Sequence, residues 1–374
     1  MALLDAQKLD LRQLSADARL RRLQPRSGLD FSSNDYLGLA SSPRLRRALA
    51  DALARGVPIG SGGSRLLRGN DPEHEALEIE AAEFFGSESA LYFSSGFAAN
   101  SALLSTLPQR GDLVAHDALI HASAHEGMRL GRASHISAPH NDATAMADAI
   151  TAWRRSGGVG TPWLVVESLY SMDGDRAPLD DLLAVAGHHE AMLLIDEAHA
   201  TGIFGANGRG LAEGLDGQSN VITLRTCGKA LGSEGALVCG PRLVTDFLVN
   251  RGRGFIFSTA PSPLMVSVVR EGLRIVAEEP ERRIRLNALI SHAEQAFRNC
   301  GVDPTGSQII PVVIGEDAPA MHIAAILQHA GFDVRGIRPP TVPRGSARLR
   351  ISLTLNVDEK QITALADALQ AARQ

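Results

Sequence analysis

Between residues 89 and 240 the chain repeats one pattern: the short apolar runs ALYFSS, DLVAHD, ASHISA, WLVVESLYS, AMLLIDEAH, NVITLRT and GALVCG, most of them separated by segments of helical spacing. Short, nearly continuous apolar runs suit strands buried on both faces, and their alternation with helices predicts a mainly parallel sheet covered on each side. Ahead of them, residues 1 to about 24 read as an amphipathic helix, PRLRRALADALARG as a second, GSGGSRLLRGN as a glycine-rich loop and Pro72 to Phe85 as a third helix. From about residue 263 the pattern changes. Long helices over 263–300 give way to the strand IIPVVIG, a helix over 319–330, the strand ARLRISLTL and a last helix from Asp358, as in a smaller α+β domain. The expected division is an N-terminal helix and linker arm over 1–38, a large domain over 39–262 and a C-terminal small domain over 263–374.

Composition narrows the class of function. A chain of 374 residues, 44% hydrophobic and 21% charged, has the material for a large core and no signature of disorder. Its net charge of -5 gives no basic footprint, so neither nucleic acid nor an anionic membrane is an expected partner. Cys227, Cys239 and Cys300 have neither metal-ligand spacing nor an even count, which points to a reducing cytosol and to no metal site. The opening MALLDAQKLDLRQL lacks the basic-then-apolar order of a signal peptide, and no apolar stretch is long enough to span a bilayer. A cytoplasmic protein is expected.

In a parallel sheet, ligands gather at the carboxyl ends of the strands. There the sequence places Ser95-Gly96-Phe97, His116 and His121, Glu167 to Ser171, Asp196 to His199, and Thr226 to Lys229. The spelling DEAH at Asp196 to His199 also occurs in nucleotide-driven motors. Such a motor needs GxxxxGK[ST], whereas Gly228-Lys229 is followed by Ala230 and has Thr223 in place of the first glycine. Asp196 alone reads equally as a cap at a strand end, and Lys229 alone as a lysine snorkelling from a loop. The pair reads differently. A carboxylate that keeps a pyridine nitrogen protonated, with an amine able to form an imine, is what a pyridoxal phosphate enzyme requires.

The neighbouring residues admit two readings each. SSGFAAN opens a helix whose first N–H groups suit a phosphate approached closely at Gly96, or forms an ordinary Ser/Gly turn. His121 suits a flat contact with an aromatic ring or a helix start, while His199 and Ser171 carry donors for a phenolic oxygen. GSGGSRLLRGN suits a phosphate loop, a connector or, as we prefer, a hinge loop near a substrate.

With these residues assembled, the chain resembles the α-oxoamine synthase family of pyridoxal phosphate enzymes from about Phe31 to its end. The resemblance runs through FSSNDYLGL, GSGGSRLLRGN, YFSSGFAAN, SMDGD, DEAH with the following TGIFGANGRG, TCGKALG and IRPPTVPRGSARLRISLT. It implies an α/β protein of the pyridoxal phosphate-dependent transferase fold type I, its large domain built on a mainly parallel seven-stranded sheet. It implies catalytic roles for Lys229, bonded to the cofactor, for Asp196 on the pyridine nitrogen and for His121, stacked on the ring. Ser171 and His199 would meet the phenolic oxygen, and Thr226 with the amides of Gly96 and Phe97 would hold the phosphate. Ser258 and Thr259 resemble positions that reach the phosphate from a second subunit, implying a homodimer with shared sites. Arg350 matches the clamp for the amino-acid carboxylate, with Asn34 nearby and Thr341 on the acyl side. Arg21, in a run with Arg19 and Arg22, matches the contact to the acyl chain's own carboxylate. The stretch from Ile337 to Thr354 tilts the resemblance toward joining L-alanine to a pimeloyl thioester, of coenzyme A or acyl carrier protein, in biotin biosynthesis. Glycine acyltransfer within the family and a pyridoxal phosphate-binding regulator without turnover are the alternatives.

Overall fold

The apolar runs become the strands of one seven-stranded sheet in the structure, a computed structural model that describes residues 3–373. Expectations for residues 1, 2 and 374 lie outside the described residues. Across the sheet the order is Ser89–Phe93, Ala236–Gly240, Val221–Thr226, Met192–Asp196, Pro162–Glu167, Leu113–Asp117 and Ser134–Ala138. Neighbours from Val221–Thr226 outward to Ser134–Ala138 are parallel, and Ala236–Gly240 is antiparallel to both of its neighbours. Alternate side chains feed two cores. Leu91, Phe93, Val114, Val165, Leu194 and Leu224 share one, and Leu113, Ala115, Leu164, Val166, Leu193 and Ile195 share the other. Each fully buried Leu, Val or Ile contributes about 1.5–3 kcal/mol relative to exposure, which is why these runs show no polar alternation.

The chain divides into two compact units. The larger comprises Leu37–Ser171 and Arg176–Arg283; the smaller comprises Met1–Tyr36, Met172–Asp175 and Ile284–Gln374, within the described residues. The boundary expected at 262 therefore falls after Arg283. Helix Pro263–Glu278 packs on helices Pro43–Ala54 and Pro72–Phe85 of the larger unit, tied by Arg270 to Glu80 at 2.6 Å and by Arg44 to Glu279 at 2.9 Å. The N-terminal helix is also shorter than expected. It spans Asp5–Ala16, buries no residue and stops just before Ala18, whose φ of 57° is left-handed and breaks the helical path.

In the smaller unit, an antiparallel sheet orders Arg335–Ile337, Ala347–Ser352 and Ile309–Gly315, with helix Asp317–His329 packed on it. Leu29–Asp30 pairs in parallel with Phe332–Asp333. Among the described residues, no helix is long and apolar enough to cross a membrane.

Candidate active site

Three strands deliver the chemistry of the larger unit. Glu167 and Asp196 end adjacent parallel strands and lie in register, and Asp196 is in register with Leu224 on the next strand. Two residues beyond Leu224 the chain leaves the sheet and returns through a hairpin that carries Lys229. That hairpin is closed by Cys227 N–H to the Gly235 carbonyl at 2.8 Å and by Gly232 N–H to the Lys229 carbonyl at 2.9 Å. Its glycines are required: Gly232 has φ 66° and a Cβ there would stand 2.5 Å from Leu39 Cβ, while at Gly235, φ 88°, it would meet the Tyr92 hydroxyl at 2.2 Å. Cys227 is buried and its thiol is pushed up by desolvation, so it packs and does not react.

A cavity of about 150 Å³ gathers Lys229, Asp196, His121, His199, Thr226 and Glu167, with Gly96, Phe97, Asn100 and Ser123 on the helix-start side. Asp196 accepts the Asn100 side-chain amide at 2.7 Å on Oδ2 and the Ala198 N–H at 2.9 Å on Oδ1. His121 caps helix Ala122–Leu130, its Nδ1 2.7 Å from Ser123 Oγ. Its imidazolium is held below the ordinary range by desolvation, with Asp196 pulling the other way and Lys229 adding to the depression. Glu167 is buried beside Asp196, and burial, reinforced by that carboxylate, pushes its carboxyl up to about 8. Its Oε2 accepts the Ser171 N–H at 3.0 Å, whereas Oε1 has no partner among the described residues.

Helix Gly96–Thr106 starts at this cavity with Ser95 as its cap, and its first N–H groups have no intrahelical acceptor. A Cβ built at Gly96 would meet nothing closer than Leu224 Cδ2 and Thr226 Oγ1, both at 3.9 Å. The protein itself therefore leaves room for a side chain there; the glycine keeps a cradle open beside the Thr226 hydroxyl. An amine, a carboxylate, an imidazole and an anion-binding helix start in one cavity fit the donor set that pyridoxal phosphate needs.

Other expected residues fall elsewhere. Ser171 sits at the end of the Glu167 loop without lining the cavity. Ser258 and Thr259 line a separate crevice with Arg65 and Ser94, so a single chain does not bring them to Lys229. In the smaller unit, Arg350 is buried on strand Ala347–Ser352; its Nη1 donates to Ser352 Oγ at 2.7 Å and its Nη2 to the Tyr36 hydroxyl at 3.3 Å. Tyr36 in turn donates to Asn34 Oδ1 at 2.9 Å, which links Asn34 to Arg350. Of the N-terminal arginines, Arg19 is neutralised by Asp317 at 2.6 Å, while Arg21 donates to Thr341 Oγ1 at 3.1 Å.

Sequence reasoning missed Asn100, Ser123 and Arg338. Asn100 and Ser123 stand at polar positions in otherwise small-residue helix starts, an available but weak signal. Arg338 is buried with its Nε lacking a partner among the described residues, and desolvation together with the Arg21 charge depresses its pKa. Glu197, the second letter of DEAH, turns away from the chemistry. It accepts N–H groups of Leu211 and Ala212 at 2.9 and 2.7 Å and lies 3.9 Å from the buried Arg225.

The family model of aminotransferase class I and II matches residues 26–369. A protein named 8-amino-7-oxononanoate synthase from Anaeromyxobacter dehalogenans (strain 2CP-1 / ATCC BAA-258) is 43% identical over 92% of this chain and 86% of its own length. A solved SPT with PLP internal aldimine superposes with a TM-score of 0.89 at 28% identity, covering 100% of this chain and 98% of that one. The crystal structure of 8-amino-7-oxononanoate synthase from Francisella tularensis gives a TM-score of 0.78 at 27% identity, covering 92% and 97%. With its strand-end lysine and carboxylate on a matching fold, the chain belongs to the class I and II aminotransferase family.

Proposed function

We propose that this chain binds pyridoxal phosphate and condenses L-alanine with a pimeloyl thioester, of coenzyme A or acyl carrier protein, to give 8-amino-7-oxononanoate, carbon dioxide and free thiol in the cytoplasmic synthesis of biotin. The observation that carries the reading is the shared cavity of Lys229 and Asp196 at a helix start, in a chain 43% identical to a protein named for that product.

When bound, pyridoxal phosphate supplies an electron sink that stabilises negative charge at the amino-acid Cα. The amides of Gly96 and Phe97 and the Thr226 hydroxyl would hold its phosphate, and Asp196 would accept the pyridine N–H and by its charge keep that nitrogen protonated. His121 would lie against the ring, and His199 would donate to the phenolic oxygen; Ser171, off the cavity wall, would reach that oxygen only if its loop moved inward. Lys229 Nζ takes the Cα proton of alanine as general base. Arg350 would hold alanine's carboxylate with its planar fork, and Asn34 supports that clamp through Tyr36. Arg21 and Thr341, with Arg338 as a second guanidinium, receive the far carboxylate of the acyl chain.

The active unit in this reading is a homodimer. Phe97 and Leu130, 51% and 64% exposed, flank a groove of about 940 Å³ that Phe247 and Arg253 also line, and Phe257 beyond it is 71% exposed. Apolar groups gathered this way mark an association surface, and in such a dimer Ser258 and Thr259, next to Phe257, would reach a partner's phosphate.

The test is thiol release by the cofactor-loaded protein from pimeloyl, acetyl and long-chain acyl thioesters with alanine, glycine or serine. Alanine with the pimeloyl thioester should give the highest kcat/KM. Preference for glycine with a short thioester would move the chain to a sister activity, and no release with any pair would favour a regulator.

A further inference from the structure

We infer that Asp196 sets the tautomer of His121 through Asn100 and Ser123, so that the imidazole carries its proton on Nε2 and acts only as a donor. The four side chains, taken with the Ser123 backbone N–H that donates to His121 Nδ1, select one arrangement of protons. A carboxylate can only accept, so the Asn100 group 2.7 Å from Asp196 Oδ2 is the amide nitrogen. Its second N–H points to Ser123 Oγ at 3.1 Å. The hydroxyl, having accepted that bond, turns its one hydrogen to His121 Nδ1 at 2.7 Å. The Ser123 backbone N–H, which can only donate, faces the same Nδ1 at 3.3 Å. A proton on Nδ1 would oppose the Ser123 N–H and turn the hydroxyl's hydrogen away from the ring.

Burial makes the network strict. Asn100 is 2% exposed and Ser123 0%, so neither amide nor hydroxyl can exchange a wrong partner for bulk water. Desolvation also holds the imidazolium below its ordinary range, which keeps a single proton on the ring. Nδ1 being committed, His121 offers no basic nitrogen to a substrate, which agrees with Lys229 as the base. Asn100 and Ser123 are positioning residues: they act through His121 and Asp196.

The catalytic consequence rests on the reading given above, whereas the tautomer rests on geometry alone, and the test separates them. The cofactor-loaded protein, labelled with 15N-histidine, is examined by long-range 1H–15N correlation at a pH above the imidazole titration, with His121→Gln identifying the signals. Nδ1 should show a pyridine-type shift and Nε2 a pyrrole-type shift. Asn100→Ala and Ser123→Ala should each lower the ratio of Nε2–H to Nδ1–H forms, by about fivefold for a bond of ordinary strength, and Ser123→Thr should restore it. A wild-type proton on Nδ1 overturns the inference. So does an unchanged ratio in both alanine variants; if Asn100→Ala does not fold, the wild-type spectrum and Ser123→Ala decide.

Discussion

Replacing Asp196 by Asn changes one oxygen into an amino group, and the structure specifies what that does. Both carboxylate oxygens are occupied, by the Ala198 N–H at 2.9 Å and the Asn100 amide at 2.7 Å. An asparagine keeps one acceptor oxygen, so either one buried N–H faces another or Asn100 flips its amide and gives up its donation to Ser123 Oγ. Leaving a buried donor unsatisfied costs about 1–3 kcal/mol. The cofactor-free variant should lose stability of that order in urea denaturation with an unchanged m-value. In the Asp196→Asn background, Asn100→Ala should cost less than it does in the parent, because it removes the opposing donor; the coupling should exceed about 0.5 kcal/mol for groups in direct contact. A second loss appears only with cofactor bound. A charge-assisted hydrogen bond contributes about 1.5–3 kcal/mol, so exchange of the alanine Cα proton with deuterated solvent should slow by roughly 10- to 150-fold at least. Equal stability of parent and variant, additive costs in the double variant, or undiminished exchange would refute this reasoning.

Other perturbations act at separate points. Glu167 is raised in the folded state, so it favours folding when protonated; its contribution is complete below the unfolded carboxyl range and is lost as pH climbs through about 8. Glu167→Gln should therefore gain stability relative to the parent as pH rises from 5 to 8, and a constant difference across that window would show that the carboxyl is ionised in the fold. Arg21→Ala removes a charge-assisted contact and should raise KM for a pimeloyl donor by roughly tenfold or more, with alanine Cα exchange unchanged; a matching loss of exchange would place Arg21 elsewhere. Phe257→Asp on the exposed apolar face should shift the protein toward monomer in light scattering, and an unchanged dimer would remove that face from the interface.

The strands were legible because both sides of the sheet are covered: runs such as WLVVE and MLLID can be apolar throughout only if helices pack on each face. Their carboxyl ends were legible for the same reason, since Asp196 and Lys229 interrupt apolar context. What the sequence hid depends on partners distant in the chain. Helix Pro263–Glu278 looks like the start of a new domain until it is seen to bury against helices from Pro43 and Pro72. Arg225, inside a strand, is fully buried against Asp216 at 2.8 Å, a pairing no spacing rule announces. Asn100 and Ser123 belong to different helices, and only the packing of those helices joins their side chains.

The most direct test of the central assignment is where the cofactor attaches. The purified protein loaded with pyridoxal phosphate is reduced with borohydride, digested and mapped by mass spectrometry, with Lys229→Ala in parallel. The peptide containing Lys229 should carry the reduced pyridoxyl group in near-stoichiometric amount, and the variant should carry none. Active protein whose label lies on another residue, or a Lys229→Ala variant that keeps full turnover, would contradict the assignment.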